Sequence, residues 1–224
     1  MTSPTKFWNK KSIVEEFASH GISTYWAEFL STFKKPPMVK LLDVGSGGGR
    51  NSVLASRMNF DVYACDPHIN MVKKTRQVLG DHFPKKYLLH RVRKAGVQKL
   101  PYKSGSFHIV LAHGVLHNTN RHERFVQGIK EITRVLKKGG FLCLNVFYYK
   151  TQNPSMNISK KYKHVFYTNI GLPMVLLSKN EILNMLAKYD LLPYQATATY
   201  TSKVSTGTRD VLRGVFVKRL QNNR

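Results

Sequence analysis

Glycine stands at every second position from Gly45 to Gly49, directly after the apolar run Val39–Val44 that carries Asp43. Glycine accepts a positive φ and lets a ligand lie against the main chain. The helix expected to start near Gly49 would point unpaired N–H groups at such a ligand. Asp66 follows 21 residues after Gly45, at the end of a second apolar run, where a carboxylate can accept hydrogen bonds from both hydroxyls of a ribose. Pro67 and His68 come next and would border the base. These residues together describe a site for an adenosine-bearing molecule.

Two common phosphate-binding motifs are excluded by single residues. A dinucleotide fingerprint beginning at Gly45 needs glycine at position 50, and Arg50 stands there. A P-loop needs Gly-Lys-Ser/Thr at the helix start, and the chain has Gly49-Arg50-Asn51. The pattern D-x-G-x-G-x-G with an acidic end to the second strand instead resembles the class I S-adenosylmethionine-dependent methyltransferases. Three further stretches resemble that family in order and spacing: Leu100-Pro101-Tyr102, Ser106–Val110 with Gly114–His117, and Ile132–Leu142 with its Arg134-Val135-Leu136-Lys137 core. The resemblance runs over residues 39–147.

It implies an α/β fold, a Rossmann-like seven-stranded methyltransferase sheet. That sheet would be mostly parallel, with an antiparallel C-terminal hairpin. It also implies S-adenosyl-L-methionine as cofactor. On this reading Gly45, Ser46 and Gly47 wrap the methionine portion, Gly49 opens the helix and Asp66 holds the ribose beside Pro67. Gly96, Val97 and Ala112 complete the cofactor-binding set. Asp43 either orients the glycine turn or reaches the methionine ammonium through water. Arg50 either meets the methionine carboxylate or is a solvated surface charge. His113 and His117, at the end of the fourth strand where the family presents the methyl group, are the candidate catalytic residues. They act as general bases if the acceptor is protonated near neutral pH, or else shape the pocket. Asn118, Tyr148, Tyr149, His164 and Tyr167 are candidates for the acceptor side. Trp8, Tyr25 and Trp26 either cap the pocket or pack the N-terminal helices on the core.

The chain departs from the family twice. Relatives often place an acid shortly before Leu-Pro to bond the adenine amino group; here the stretch is Ala95-Gly96-Val97-Gln98-Lys99, so Gln98 or a backbone group must substitute. Relatives commonly have Ser-Phe-Asp where this chain has Ser106-Phe107-His108.

These residues need elements to hold them. The periodicity predicts strands at 39–44, 61–65, 87–92, 107–112 and 141–147, and helices at 49–59, 68–79 and 121–137. Two amphipathic helices broken near Gly21 precede them. Lys34-Lys35-Pro36-Pro37 is a connector, so residues 1–37 read as a helical cap and 38–224 as the methyltransferase domain. Residues 148–176 are longer than an ordinary connection and read as a lid or acceptor loop, with Pro154 and Pro173 as breaks. Ser178 and Glu181 form a capping box for a helix at 179–189, and a strand pair at 192–200 and 210–219 closes the chain.

Composition sets the outer bounds. The 224 residues suit one domain with a small addition. No apolar run reaches membrane-spanning length, and Met1–Ser12 lacks the apolar core of a secretory signal. Both cysteines, Cys65 and Cys143, fall in predicted strands; a reducing, cytoplasmic setting is the expectation. No Cys/His spacing suggests a metal site. The 36 basic and 12 acidic residues leave a net charge of +24. Such a field steers anionic partners, although an organism with generally basic proteins would show the same imbalance. Three functions fit: methyl transfer to a small molecule or peptide, methyl transfer to RNA, or a non-catalytic cofactor-binding fold.

Overall fold

The computed structural model describes residues 4–21, 23–149, 157–204 and 207–220. Three helices lead, α1 (Pro4–Trp8), α2 (Lys11–Ser19) and α3 (Thr24–Ser31), where the sequence predicts two. Then come β1 (Lys40–Val44), α4 (Arg50–Arg57), β2 (Asp61–Asp66), α5 (Ile69–Leu79), α6 (Lys85–Arg91), β3 (Val92–Lys94), β4 (Phe107–His113), α7 (His122–Val135) and β5 (Leu136–Phe147). The remainder is β6 (Asn157–Ile158), β7 (Val165–Tyr167), β8 (Pro173–Val175), α8 (Lys179–Lys188), β9 (Leu191–Pro193), β10 (Ala198–Val204) and β11 (Gly207–Lys218).

The main sheet runs β10-β11-β5-β4-β1-β2-β3, with β9 added beside β11. Strands β3, β2, β1, β4 and β5 are parallel; β11 is antiparallel to β5, β9 and β10. Among the described residues the sheet therefore has eight strands rather than the expected seven, since Leu191–Pro193 pairs with β11 as a separate short strand. Its central strands are largely apolar because both faces are covered. Leu42, Val110 and Leu144 pack with Phe125, Ile129 and Ile132 of α7 on one face. Leu41, Ile109 and Cys143 pack with Trp26, Phe29 and Leu30 of α3 on the other. No helix among the described residues is long and apolar enough to cross a membrane.

Two local expectations are corrected. Residues 85–91 form a helix and only Val92–Lys94 pair as the third strand. The buried positions there are Leu88 and Val92, four apart, while Tyr87 and Leu89 are exposed, which is a helical rather than an alternating pattern. Pro84 precedes the helix, and Arg91 at its end bonds the Asp61 carboxylate and the Val62 carbonyl, fixing it to the start of β2. The second correction concerns the segment after β5. Its described part is a small antiparallel sheet, β6-β7-β8, anchored by the buried Val165 and Val175. Pro173 does not break structure there; it is the first residue of β8, where no ladder donor is required. Lys150 to Met156, including Pro154, lie outside the described residues.

The capping box forms as the sequence predicts: Ser178 Oγ accepts from the Glu181 N–H, and the Glu181 carboxylate accepts from the Ser178 N–H at 2.8 Å. Replacing such a cap by alanine costs about 1 kcal/mol. Ser178→Ala is therefore expected to lower the thermal midpoint by about 2–4 °C, read by scanning calorimetry.

Candidate functional site

The glycine turn is bound to the end of β2. The N–H groups of Gly45 and Ser46 both donate to the Cys65 carbonyl, at 2.8 and 3.1 Å. Gly47 N–H donates to Asp66 Oδ2 at 3.1 Å, and His68 N–H donates to Oδ1 at 2.8 Å. Gly45, Gly47 and Gly49 all have positive φ. A side chain at Gly45 would run into Val115, and one at Gly48 would meet the Ala18 backbone at 2.4 Å. Helix α2 thus rests directly on the turn.

Turn, sheet ends and N-terminal helices enclose one large cavity of about 940 Å³. Of the residues singled out from sequence, Gly45, Ser46, Gly47, Arg50, Asp66, Pro67, Gly96, Val97, His113 and His117 lie on its wall. Three do not. Asp43 is sealed below the turn, where its carboxylate accepts from Ser52 Oγ of α4 at 2.6 Å. Gly49 faces away from the cavity, against Val78 and Thr75, so its glycine serves helix packing. Ala112 is fully buried in β4 between Val44 and Leu144.

Trp8 lines the cavity, whereas Trp26 is fully buried in the core. Gln98 lines it next to Gly96, where the expected acid is missing. His108 is remote from the site: its ring accepts from the Lys40 N–H at 2.9 Å, at the start of β1. On the acceptor side only Asn118 of the five candidates reaches the wall. Tyr149 stacks on Phe166 of the small sheet, and His164 pairs with Glu181 at 3.7 Å. The wall there is built instead by Asn145, Phe147, Met174, Tyr200, Lys203 and Val211. Sequence reasoning missed these because they come from four strands whose register only pairing fixes.

Burial sets the charge states. Desolvation pushes the Asp66 carboxyl up to about 6, against the pull of its two backbone donors. Asp43 is likewise raised to about 6, chiefly by burial. His113 and His117 are both pushed down to about 3, first by burial and then by nearby cations, Arg50 for His113 and Arg209 for His117. Both histidines are neutral at physiological pH. His117 Nδ1 accepts from the Phe147 N–H at 3.0 Å, so its proton sits on Nε2. His113 Nδ1 accepts from the Trp26 indole N–H at 2.8 Å, so Nε2 again carries the proton. That nitrogen lies 3.0 Å from Arg50 Nη2. Two donors therefore face one another, an arrangement that an anionic oxygen accepting from both would relieve.

These features fit an adenosine cofactor. Three cavity-lining side-chain atoms, Asn51 Oδ1, His68 Nδ1 and Thr119 Oγ1, are buried with no hydrogen-bond partner among the described residues. Asp66 retains acceptor capacity, and Arg50 with His113 presents donors suited to a carboxylate.

The methyltransferase-domain family model matches residues 42–144. The chain is 23% identical over 213 residues to the tRNA (carboxymethyluridine(34)-5-O)-methyltransferase alkbh8 of Xenopus tropicalis, covering 88% of this chain and 32% of that protein. It is 29% identical over 143 residues to the ubiquinone/menaquinone biosynthesis C-methyltransferase UbiE of Laribacter hongkongensis, covering 62% of this chain and 55% of that one. The chain thus spans from about a third to just over half the length of these curated relatives. Among solved structures, the Burkholderia thailandensis 1,6-didemethyltoxoflavin-N1-methyltransferase holds 1,6-didemethyltoxoflavin and S-adenosylhomocysteine. It matches with a TM-score of 0.65 at 14% identity, over 96% of this chain and 81% of that one. The sheet and the matched motifs define the Rossmann-like methyltransferase fold. Residues 42–144 match a methyltransferase domain, and S-adenosylmethionine is the cofactor of the class I methyltransferases that share this fold.

Hydrogen bonds to a charged group contribute about 1.5–3 kcal/mol each. Asp66→Ala is expected to weaken S-adenosylhomocysteine binding by roughly a hundredfold or more in calorimetry. Only the ionised carboxylate accepts from both ribose hydroxyls, and it ionises at about 6. Affinity should be level above that pH and fall as pH drops through it; Asp66→Asn should bind weakly with no such dependence.

Proposed function

We propose that this chain transfers the methyl group of S-adenosylmethionine to a small-molecule acceptor by direct in-line displacement. The observation that carries this reading is a cavity continuous from Asp66 and the glycine turn to Asn118, Asn145 and Tyr200. Its volume of about 940 Å³ lies at the upper end of small-ligand sites, room for a cofactor and a compact acceptor together. The relative from Burkholderia, which holds a small heterocycle beside S-adenosylhomocysteine, supports the same reading.

When bound, the cofactor supplies an electrophilic methyl on a sulfonium. The residues bind, orient and exclude water. Asp66 takes the ribose, Gln98 and the backbone at Gly96 and Val97 border the adenine, and Arg50 with His113 holds the methionine carboxylate. Ser46 stays under the turn through its contact with Thr75 Oγ1 at 3.1 Å. Residues 1–37 act as a helical cap on domain 38–224, with Trp8 and Phe17 closing the cavity over the turn. The described part of 148–176 closes the acceptor side through Leu172, Pro173 and Met174. His117 serves as a neutral Nε2–H donor to the acceptor rather than as a base. Two buried, reduced cysteines suit a reducing, cytoplasmic setting.

A second reading, methyl transfer to RNA, is favoured by the alignment that covers 88% of this chain with a tRNA methyltransferase and by the net charge of +24. There an unpaired base would enter the same cavity.

Incubation with cofactor carrying a labelled methyl group and fractionated cell extract separates the two. Label is expected in the low-molecular-weight fraction; label only in RNA would establish the second reading. A general base is worth about a hundredfold or more. His117→Asn keeps an acceptor for the Phe147 N–H and a donor toward the cavity, so its kcat should stay within about tenfold of the parent. A larger fall, with a new pH dependence, would assign proton transfer to His117.

A further inference from the structure

The strand register gathers cations where the acceptor would lie. Directly opposed residues of paired strands share a face of the sheet. His113 opposes Asn145, Asn145 opposes Arg213, and Phe147 opposes Val211, which in turn opposes Tyr200. Arg209 opposes Ser202. His113, Asn145, Phe147, Tyr200 and Val211 line the cavity, so Arg209 and Arg213 belong to the same face.

Arg213 is held in place. Its guanidinium stacks between the rings of Tyr25 and Tyr200, at 4.0 and 4.8 Å from their centroids. Gln195 donates to the Tyr25 hydroxyl and Asn145 to the Tyr200 hydroxyl, so both rings are fixed. Stacking satisfies the faces of a guanidinium and leaves its in-plane N–H donors to other partners. Arg213 Nε is buried without a hydrogen-bond partner, and no carboxylate among the described residues forms an ion pair with Arg213. Toward solvent the cavity wall adds Lys203 from β10 and Arg124 from α7, both exposed. The carboxylates on the whole wall are Asp66, at the ribose end, and Glu16, on the cap. Between the cations lies an apolar floor of Phe147, Leu172, Met174 and Val211.

We propose that the acceptor is an amphipathic small anion. Its apolar body packs on Phe147, Met174 and Val211, and its carboxylate or phosphate group is drawn to Lys203 and Arg124, with Arg213 behind Tyr200. This rests on the small-molecule reading above and narrows it to a chemical class. A neutral or cationic acceptor would leave the stacked Arg213, whose Nε is buried without a partner, without a counter-charge.

The test divides a low-molecular-weight cell extract on an anion-exchange resin before the reaction. Each fraction is then incubated with the protein and cofactor carrying a labelled methyl group. Label is expected only from the retained fraction, and prior phosphatase treatment abolishes it if the anion is a phosphate but not if it is a carboxylate. The exposed pair Lys203→Gln/Arg124→Gln should raise the KM for that fraction about tenfold or more, with S-adenosylhomocysteine affinity unchanged. Arg213→Lys should lose less than Arg213→Gln. Lys138→Gln, which removes an exposed cation far from the cavity, should change nothing. Labelling from the unretained fraction, or an unchanged KM in the double variant, overturns the anionic class while leaving the small-molecule reading intact. Label in RNA, or in no metabolite fraction, overturns both.

Discussion

The Asp66 carboxylate joins the two halves of the cofactor site. One oxygen takes the Gly47 N–H and the other the His68 N–H, so the glycine turn after β1 and the start of α5 share a single anion. That anion is only 5% exposed. Desolvation opposes its charge and the two backbone donors support it, which leaves it ionised but close to its limit at neutral pH. The turn can be this tight because glycine at 45 and 47 adopts a positive φ and because no side chain separates Gly48 from α2. Helix α2, the turn and the Asp66 carboxylate form one packed unit.

The same desolvation decides what the two histidines can do. Histidine titrates near neutrality only when it is solvated or supported by an anion. His113 and His117 have neither; they lie in a wall of backbone donors and arginines, and each spends its Nδ1 lone pair on a fixed N–H. What remains on each is an Nε2–H, on residues that line the cavity at the end of β4 and beyond it. Such groups position a ligand, and methyl transfer from a sulfonium asks mainly for alignment.

The positive charge of the chain has a local as well as a global side. Spread over the surface, a charge of +24 raises the encounter rate with any polyanion. At the cavity it is organised: Arg50 faces His113 near the turn, and Arg213 is stacked between two tyrosines beside Asn145. A cation stacked and desolvated in this way interacts far more strongly with an anion than a solvated lysine does. This distinguishes recognition at the site from steering toward it.

Local motifs were legible in the residue string because their physics is local. The turn Gly45–Gly49, the carboxylate at Asp66, the capping box of Ser178 and Glu181 and the doubly buried strands each depend on neighbours a few residues away or on a simple apolar run. Sequence alone therefore determined the fold class and the cofactor. It read 87–92 as a strand because a short apolar run fits either period, whereas 85–91 form a helix whose last residue, Arg91, is tied to Asp61 and Val62, thirty residues back. Of the candidate site residues, packing leaves Asp43, Gly49 and Ala112 off the cavity wall. Only tertiary structure assembled the acceptor half, from Asn145 and Phe147 on β5, Tyr200 and Lys203 on β10 and Val211 on β11. Strand register is a long-range property: one residue of slip would turn each of these side chains to the opposite face, and nothing in the local sequence records which face that is.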